Sequence, residues 1–186
     1  TAWLMMDSGD LKASADHHRR AAEILRELIL YHNRTDLWCA LGNRFADIGL
    51  VHLQRNELKE ALDDCRKAID LRKRTPARYR DVRFHNDMLI THSNMGIILN
   101  LMRDPDEAAE SFRESYKIAR NLDVDHGSPE YLRSLATASY NLGSSLMDRG
   151  ALAEGLVFLK EAAEAQKKVA ASGEVNELVL LAKVTA

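Results

Sequence analysis

Proline is nearly absent from this chain, with 3 in 186 residues, and aromatic side chains make up only 6%. So little proline leaves helices uninterrupted, and no stretch alternates apolar and polar residues as a strand would. Cysteine is as scarce: Cys39 and Cys65 have no metal-site spacing and give no disulfide framework, which fits a reduced thiol at Cys65 and a cytoplasmic setting. Neither sign of charge dominates, since 26 Lys plus Arg stand against 28 Asp plus Glu for a net of -2, so there is no general pull toward nucleic acid or an anionic membrane. No apolar run reaches the roughly 18 residues that cross a bilayer, and the start lacks the basic-then-apolar order of a signal peptide. Phosphate loops, nucleophile elbows and His-Glu-x-x-His patterns are missing too. The expectation is therefore a protein that is not an enzyme and has no cofactor and no metal.

What is present is a repeat. Asp47-Ile48-Gly49, Asn94-Met95-Gly96 and Asn141-Leu142-Gly143 recur at intervals of 47 residues. Each glycine is followed twelve residues later by a small residue, Ala61, Ala108 or Gly155, and four further on by a bulky one, Cys65, Phe112 or Leu159. With 46% hydrophobic residues there is enough apolar material for a core. The register extends backward, where Asp10-Leu11-Lys12 matches Glu57-Leu58-Lys59, and forward into residues 174–186. The chain thus reads as residues 1–186 of one array cut from a longer protein. Residues 1–48 hold a partial unit and the next inner helix; 35–75, 77–123 and 128–172 are helical hairpins; 174–186 begin a truncated helix.

Apolar residues recurring at three and four predict helices over 10–32, 35–55, 58–74, 77–102, 105–122, 129–149, 152–171 and 174–185. Asp104-Pro105 and Ser128-Pro129 each set a capping side chain before a first-turn proline, which has no amide to satisfy. Gly9, Asn56, Arg103 and Gly150 fall at the point where the first helix of a unit ends, a place for a left-handed residue that costs arginine more than glycine. The windows 42–55, 89–102 and 136–149 hold 5 charged residues, whereas 57–70, 104–117 and 151–164 hold 19, so the first helix of each unit is the inner one.

A large residue, an apolar-Gly pair, and later Ala with a bulky residue four beyond make up the signature of the tetratricopeptide repeat. The chain resembles that family at Phe45, Ile48, Gly49, His52, Ala61, Cys65 and Ala68; at His92, Met95, Gly96, Leu99, Ala108, Phe112 and Ser115; and at Ser139, Leu142, Gly143, Leu146, Gly155, Leu159 and Ala162. His92 and Ser139 in the large position and Gly155 in the small one depart from it. Units of 47 residues exceed the usual 34 by 13, and the unchanged Gly-to-Ala distance puts the surplus between units, which lengthens both helices. Long units with Asn-Leu-Gly and the segment Pro129 to Arg133 are similar to arrays attached to bacterial serine/threonine protein kinases and, more distantly, to kinesin light chain. The resemblance implies an all-α, right-handed superhelix of antiparallel helical hairpins, a TPR-like alpha-alpha solenoid.

At 100° per residue, His92, Met95, Gly96 and Leu99 form the stripe that packs on the partner helix, and Ile90, Asn94, Ile97 and Leu101 lie almost opposite. The resemblance implies that this second stripe lines a concave ligand groove, together with Asn43, Asp47, Leu50 and Gln54 before it and Thr137, Asn141, Ser144 and Asp148 after it. Apolar side chains beside amides suit a peptide or protein partner. Asn94 and Asn141 match the asparagine that in related arrays bonds a peptide backbone; the alternative is that they tie neighbouring helices. Arg72, Lys73, Arg74, Arg78, Arg80 and Arg83 could hold phosphate or form a solvated loop. Three functions stay open: an interaction scaffold without catalytic activity and without nucleic-acid or membrane partners, a peptide or small-effector sensor in a larger signalling protein, and a structural array that self-associates through its cut ends, Trp3, Leu4 and Met5 against Val179, Leu180 and Leu181.

Overall fold

A computed structural model describes residues 11–126 and 128–184, with side chains given for all of these but 125, 126 and 173–184. The described residues form helices and no strand: α1 Leu11–His32, α2 Trp38–Gln54, α3 Leu58–Lys73, α4 Val82–Leu101, α5 Pro105–His126, α6 Pro129–Asp148 and α7 Leu152–Val184. The fold is all-α, and its helices pack in chain-adjacent pairs, α2 with α3 and α6 with α7 most intimately. The expected starts at 35 and 77 are single 3-10 turns, Thr35–Leu37 and Ala77–Tyr79. Helix α4 starts later because the Asp81 carboxylate caps it, accepting a 2.9 Å bond from the Phe84 amide.

One boundary is corrected. The break expected between 171 and 174 is not there, and α7 runs through it to Val184. A single glycine, Gly173, costs a helix about 1 kcal/mol against alanine, too little to stop it after a run as rich in alanine as 162–171.

The turns inside the units repeat in atomic detail. Asn56, Arg103 and Gly150 have positive φ of 60°, 63° and 81°. After each, an amide reaches five residues back, Glu57 to His52, Asp104 to Leu99 and Ala151 to Leu146, always at 2.9 Å. This closes the preceding helix by satisfying its last carbonyls. Gly9, expected at the same point, lies outside the described residues.

Two compact units divide the chain inside α5, residues 1–111 and 112–186. In the first, Ala22, Ile29 and Leu41 form a buried cluster flanked by Leu25, Trp38, Phe45 and Leu71. Gly49 sets the distance between α2 and α3, since a Cβ there would stand 3.2 Å from the Asp64 Cβ and 3.3 Å from the Ala61 carbonyl. In the second, Gly143 and Gly155 face each other, and a Cβ on Gly143 would meet the Gly155 carbonyl at 2.9 Å and Leu159 Cγ at 2.9 Å. The spacing of twelve between glycine and small residue is thus the crossing point of each of these hairpins.

Candidate functional site

The stripes read from the sequence lie on α2 and α4 in the first unit and on α6 in the second. On α2, Asn43 and Asp47 are bound inward. Asn43 donates from Nδ2 to Asp87 Oδ2 at 2.8 Å, and its Oδ1 accepts from Arg72 Nε at 3.0 Å. Arg72 also donates to the Thr91 hydroxyl, so a guanidinium of only 2% exposure joins α2, α3 and α4. Burial lowers its pKa, against the opposing field of Asp87. Asp47 meets Arg44 at 3.1 Å and the buried His18 of α1 at 3.2 Å. Burial is the first cause of both shifts in that pair, raising Asp47 and lowering His18. Leu50 is half-buried and Gln54 exposed.

On α4 the balance is reversed. Ile90, Ile97 and Leu101 are 46%, 41% and 56% exposed, large for aliphatic side chains, and run as a ridge along one side of the helix. Asn94 lies half-buried among them and its amide makes no hydrogen bond among the described residues. In the second unit, α6 presents exposed Thr137 and Asp148 with half-buried Asn141 and Ser144. Beside them is an open cleft of about 450 Å³ lined by Ala136, Thr137, Tyr140, Leu159, Ala162, Ala163 and Gln166. Two repeat lengths earlier these positions include Gly42, Asn43 and Arg72, the surface on which α4 is seated.

The Arg-rich run is dispersed by the fold. Arg72 is buried; Arg80 donates to the Thr75 and Lys73 carbonyls at 2.8 Å each; Arg74 and Arg78 lie over the rings of Trp38 and Tyr79. His52, in a signature position, bonds Asp64 at 2.6 Å between α2 and α3. The Asp64 carboxyl is nevertheless raised, burial outweighing its partner. Both cysteines are free, and burial pushes the Cys65 thiol up to about 12. Among the described residues, no group of three His, Cys, Asp or Glu is placed to hold a metal, and no helix is long and apolar enough to cross a membrane.

The polar contact set around Arg72 was not legible beforehand. Its signal was a departure from the repeat: Gly42, Arg72 and Asp87 stand where the next copies have Leu89, Ala119 and Ser134. A Cβ on Gly42 would come within 2.7 Å of Arg72 Cγ and 2.8 Å of the Ala68 carbonyl, so the glycine makes room for the arginine stem.

Residues 42–75 match the family model of the tetratricopeptide repeat. No curated protein matches the chain. Among solved structures, the nearly identical TPR-like repeats assigned to a kinesin light chain of Podosopora anserina align with a TM-score of 0.63 at 13% identity, over 90% of this chain and 72% of that one. MamA aligns with a TM-score of 0.50 at 16% identity, over 91% and 96%. BtubC (BKLC) from P. vanneervenii aligns with a TM-score of 0.50 at 13% identity, over 90% and 77%. The chain therefore shares the fold of TPR-like repeat proteins, and residues 42–75 carry the sequence mark of that family.

Proposed function

We propose that this protein is a non-enzymatic interaction scaffold whose first unit binds an extended or helical segment of a partner protein along α4. Repeats of this fold generally mediate protein–protein contact. The observation that carries the reading is the ridge of Ile90, Ile97 and Leu101 around the uncommitted Asn94 amide. Aliphatic side chains left in water beside a donor and acceptor offer both apolar area and a backbone partner. On α2, Asn43 and Asp47 support this surface rather than offer it, because the Asn43 amide is hydrogen-bonded to Asp87 and Arg72 and the Asp47 carboxylate is paired with Arg44 and His18. Leu50 and Gln54 extend the surface; in the second unit Thr137, Asn141, Ser144 and Asp148 form a strip of their own on α6.

The test is a photo-crosslinking residue placed at Ile97 in the full-length protein, with a second placed at Lys117 on α5 as control. Cross-links from position 97 to one defined partner segment, absent from position 117, support the reading. Equal labelling from both positions overturns it.

A further inference from the structure

Three helices of the first unit each contribute a stripe to a second, separate cleft. Arg26 and Leu30 of α1, Trp38, Leu41 and Phe45 of α2, and Lys67, Leu71 and Arg74 of α3 enclose about 380 Å³. The spacings are four on α1, three and seven on α2, and four and seven on α3, so each set shares one helix face. The volume is within the range of small-molecule sites. No residue of α4 takes part, and the cleft is distinct from the ridge described above.

Its lining is apolar and aromatic below and cationic above. Lys67 Nζ stands 3.8 Å from the centre of the Phe45 ring, and the Arg74 guanidinium 5.2 Å from that of Trp38. The stems of these side chains lie along the wall while their charged heads reach water. No carboxylate lines the cleft, and among the described residues Arg26, Lys67 and Arg74 form no ion pair. A smaller depression of about 160 Å³ shares Arg26 and Phe45 and includes Glu23 on its own lining.

The repeat itself shows which of these residues hairpin packing requires. Leu41 and Leu71 are replaced in kind in the next unit, by Met88 and Ile118. Trp38 and Phe45 become His85 and His92, Lys67 becomes Glu114 and then Glu161, and Arg74 becomes Asn121. The fold is built in those units without the aromatic pair and with the charge at one position reversed. Arg26 keeps a cation in both later copies, as Lys73 and Arg120, so it is Lys67 and Arg74, each over an aromatic ring, that packing does not account for.

We propose that this cleft binds a small organic carboxylate with an apolar body, its charge among Arg26, Lys67 and Arg74 and its body against Trp38, Leu41 and Leu71. The cations supply charge-assisted bonds, and the apolar wall selects against small hydrated anions.

The chain has two tryptophans, so in a Trp3→Phe background Trp38 is the single indole and reports directly from the cleft wall. Octanoate is titrated in, with 1-octanol as the uncharged counterpart, and calorimetry on the unaltered chain supplies a second measurement of the same constant. Saturable octanoate binding that shifts Trp38 emission, about tenfold weaker for 1-octanol and about tenfold weaker in Lys67→Met or Arg74→Met at unchanged melting temperature, is the expected result. Equal affinity for octanoate and 1-octanol, binding unchanged in both Met variants, or no saturation in the millimolar range overturns the proposal. So does tighter binding of acetyl-Leu-Glu-Leu-amide than of octanoate, which would make the occupant a protein segment. Cross-linking at Ile97 does not depend on this cleft, so each proposal can fail alone.

Discussion

Replacing Arg72 by methionine keeps the length of the stem and removes the guanidinium that joins three helices. Two bonds are lost, leaving Asn43 Oδ1 and the Thr91 hydroxyl without this donor, and Asp87 loses the cation that faces it. Each orphaned buried polar group costs about 1–3 kcal/mol, and breaking a buried charged set by removing one partner costs about 3–5 kcal/mol. A loss of about 3 kcal/mol is expected, or about 6–12 °C in melting temperature for a chain of this size. Urea denaturation followed by circular dichroism at neutral pH measures it. Asp87→Ala should also destabilise, but the double variant should cost about 2 kcal/mol less than the sum of the two, because the second change removes a group the first had stranded. A loss below about 1 kcal/mol for Arg72→Met, or costs that add to within about 0.5 kcal/mol, would refute the reasoning.

The glycine crossings should differ in cost: Gly143→Ala meets backbone and Leu159 at 2.9 Å and should lose about 2 kcal/mol, whereas Gly49→Ala, with neighbours at 3.2 to 3.6 Å, should lose less, as thermal melts of the two would show. Burial lowers the pKa of His18 despite Asp47 beside it, with Arg44 and His17 adding to the depression, so the unfolded chain takes the proton first. Stability from this residue is whole above the ordinary histidine pKa and falls as pH drops through it, and the decline between roughly pH 7.5 and 5.5 should be shallower in His18→Gln. The raised carboxyls of Asp47 and Asp64 act in the opposite sense, lowering stability as pH rises above the usual aspartate range. Cys65, buried and with its thiol pushed up to about 12, should react with a disulfide reagent only as fast as the chain unfolds, and the labelling rate should rise with urea in step with unfolding.

The hairpins were legible because their determinants are local and recur. A glycine, a small residue twelve on and a left-handed residue at the turn fix a crossing and a helix end, and three copies in register reveal both. The continuation of α7 past Gly173 was not legible, since one glycine looks alike at a stop and inside an alanine-rich helix. Nor could the stripe of α2 be told from that of α4 by angle alone. Asn43 and Asn94 stand on comparable stripes, yet Asn43 is held by Arg72 and Asp87, partners 29 and 44 residues away, while Asn94 has none among the described residues. Long-range polar contacts of this kind follow no period. What marked them was the loss of the repeat at Gly42, Arg72 and Asp87, visible only once the copies are aligned.

Once the segment cross-linked at position 97 is identified, its affinity for the unaltered protein and for Ile97→Asp decides the matter most directly. The exposed ridge predicts at least about a tenfold loss of affinity with the melting temperature unchanged, because Ile97 is already 41% exposed and contributes little to the core. Unchanged affinity in that variant would contradict the assignment of α4 as the binding surface.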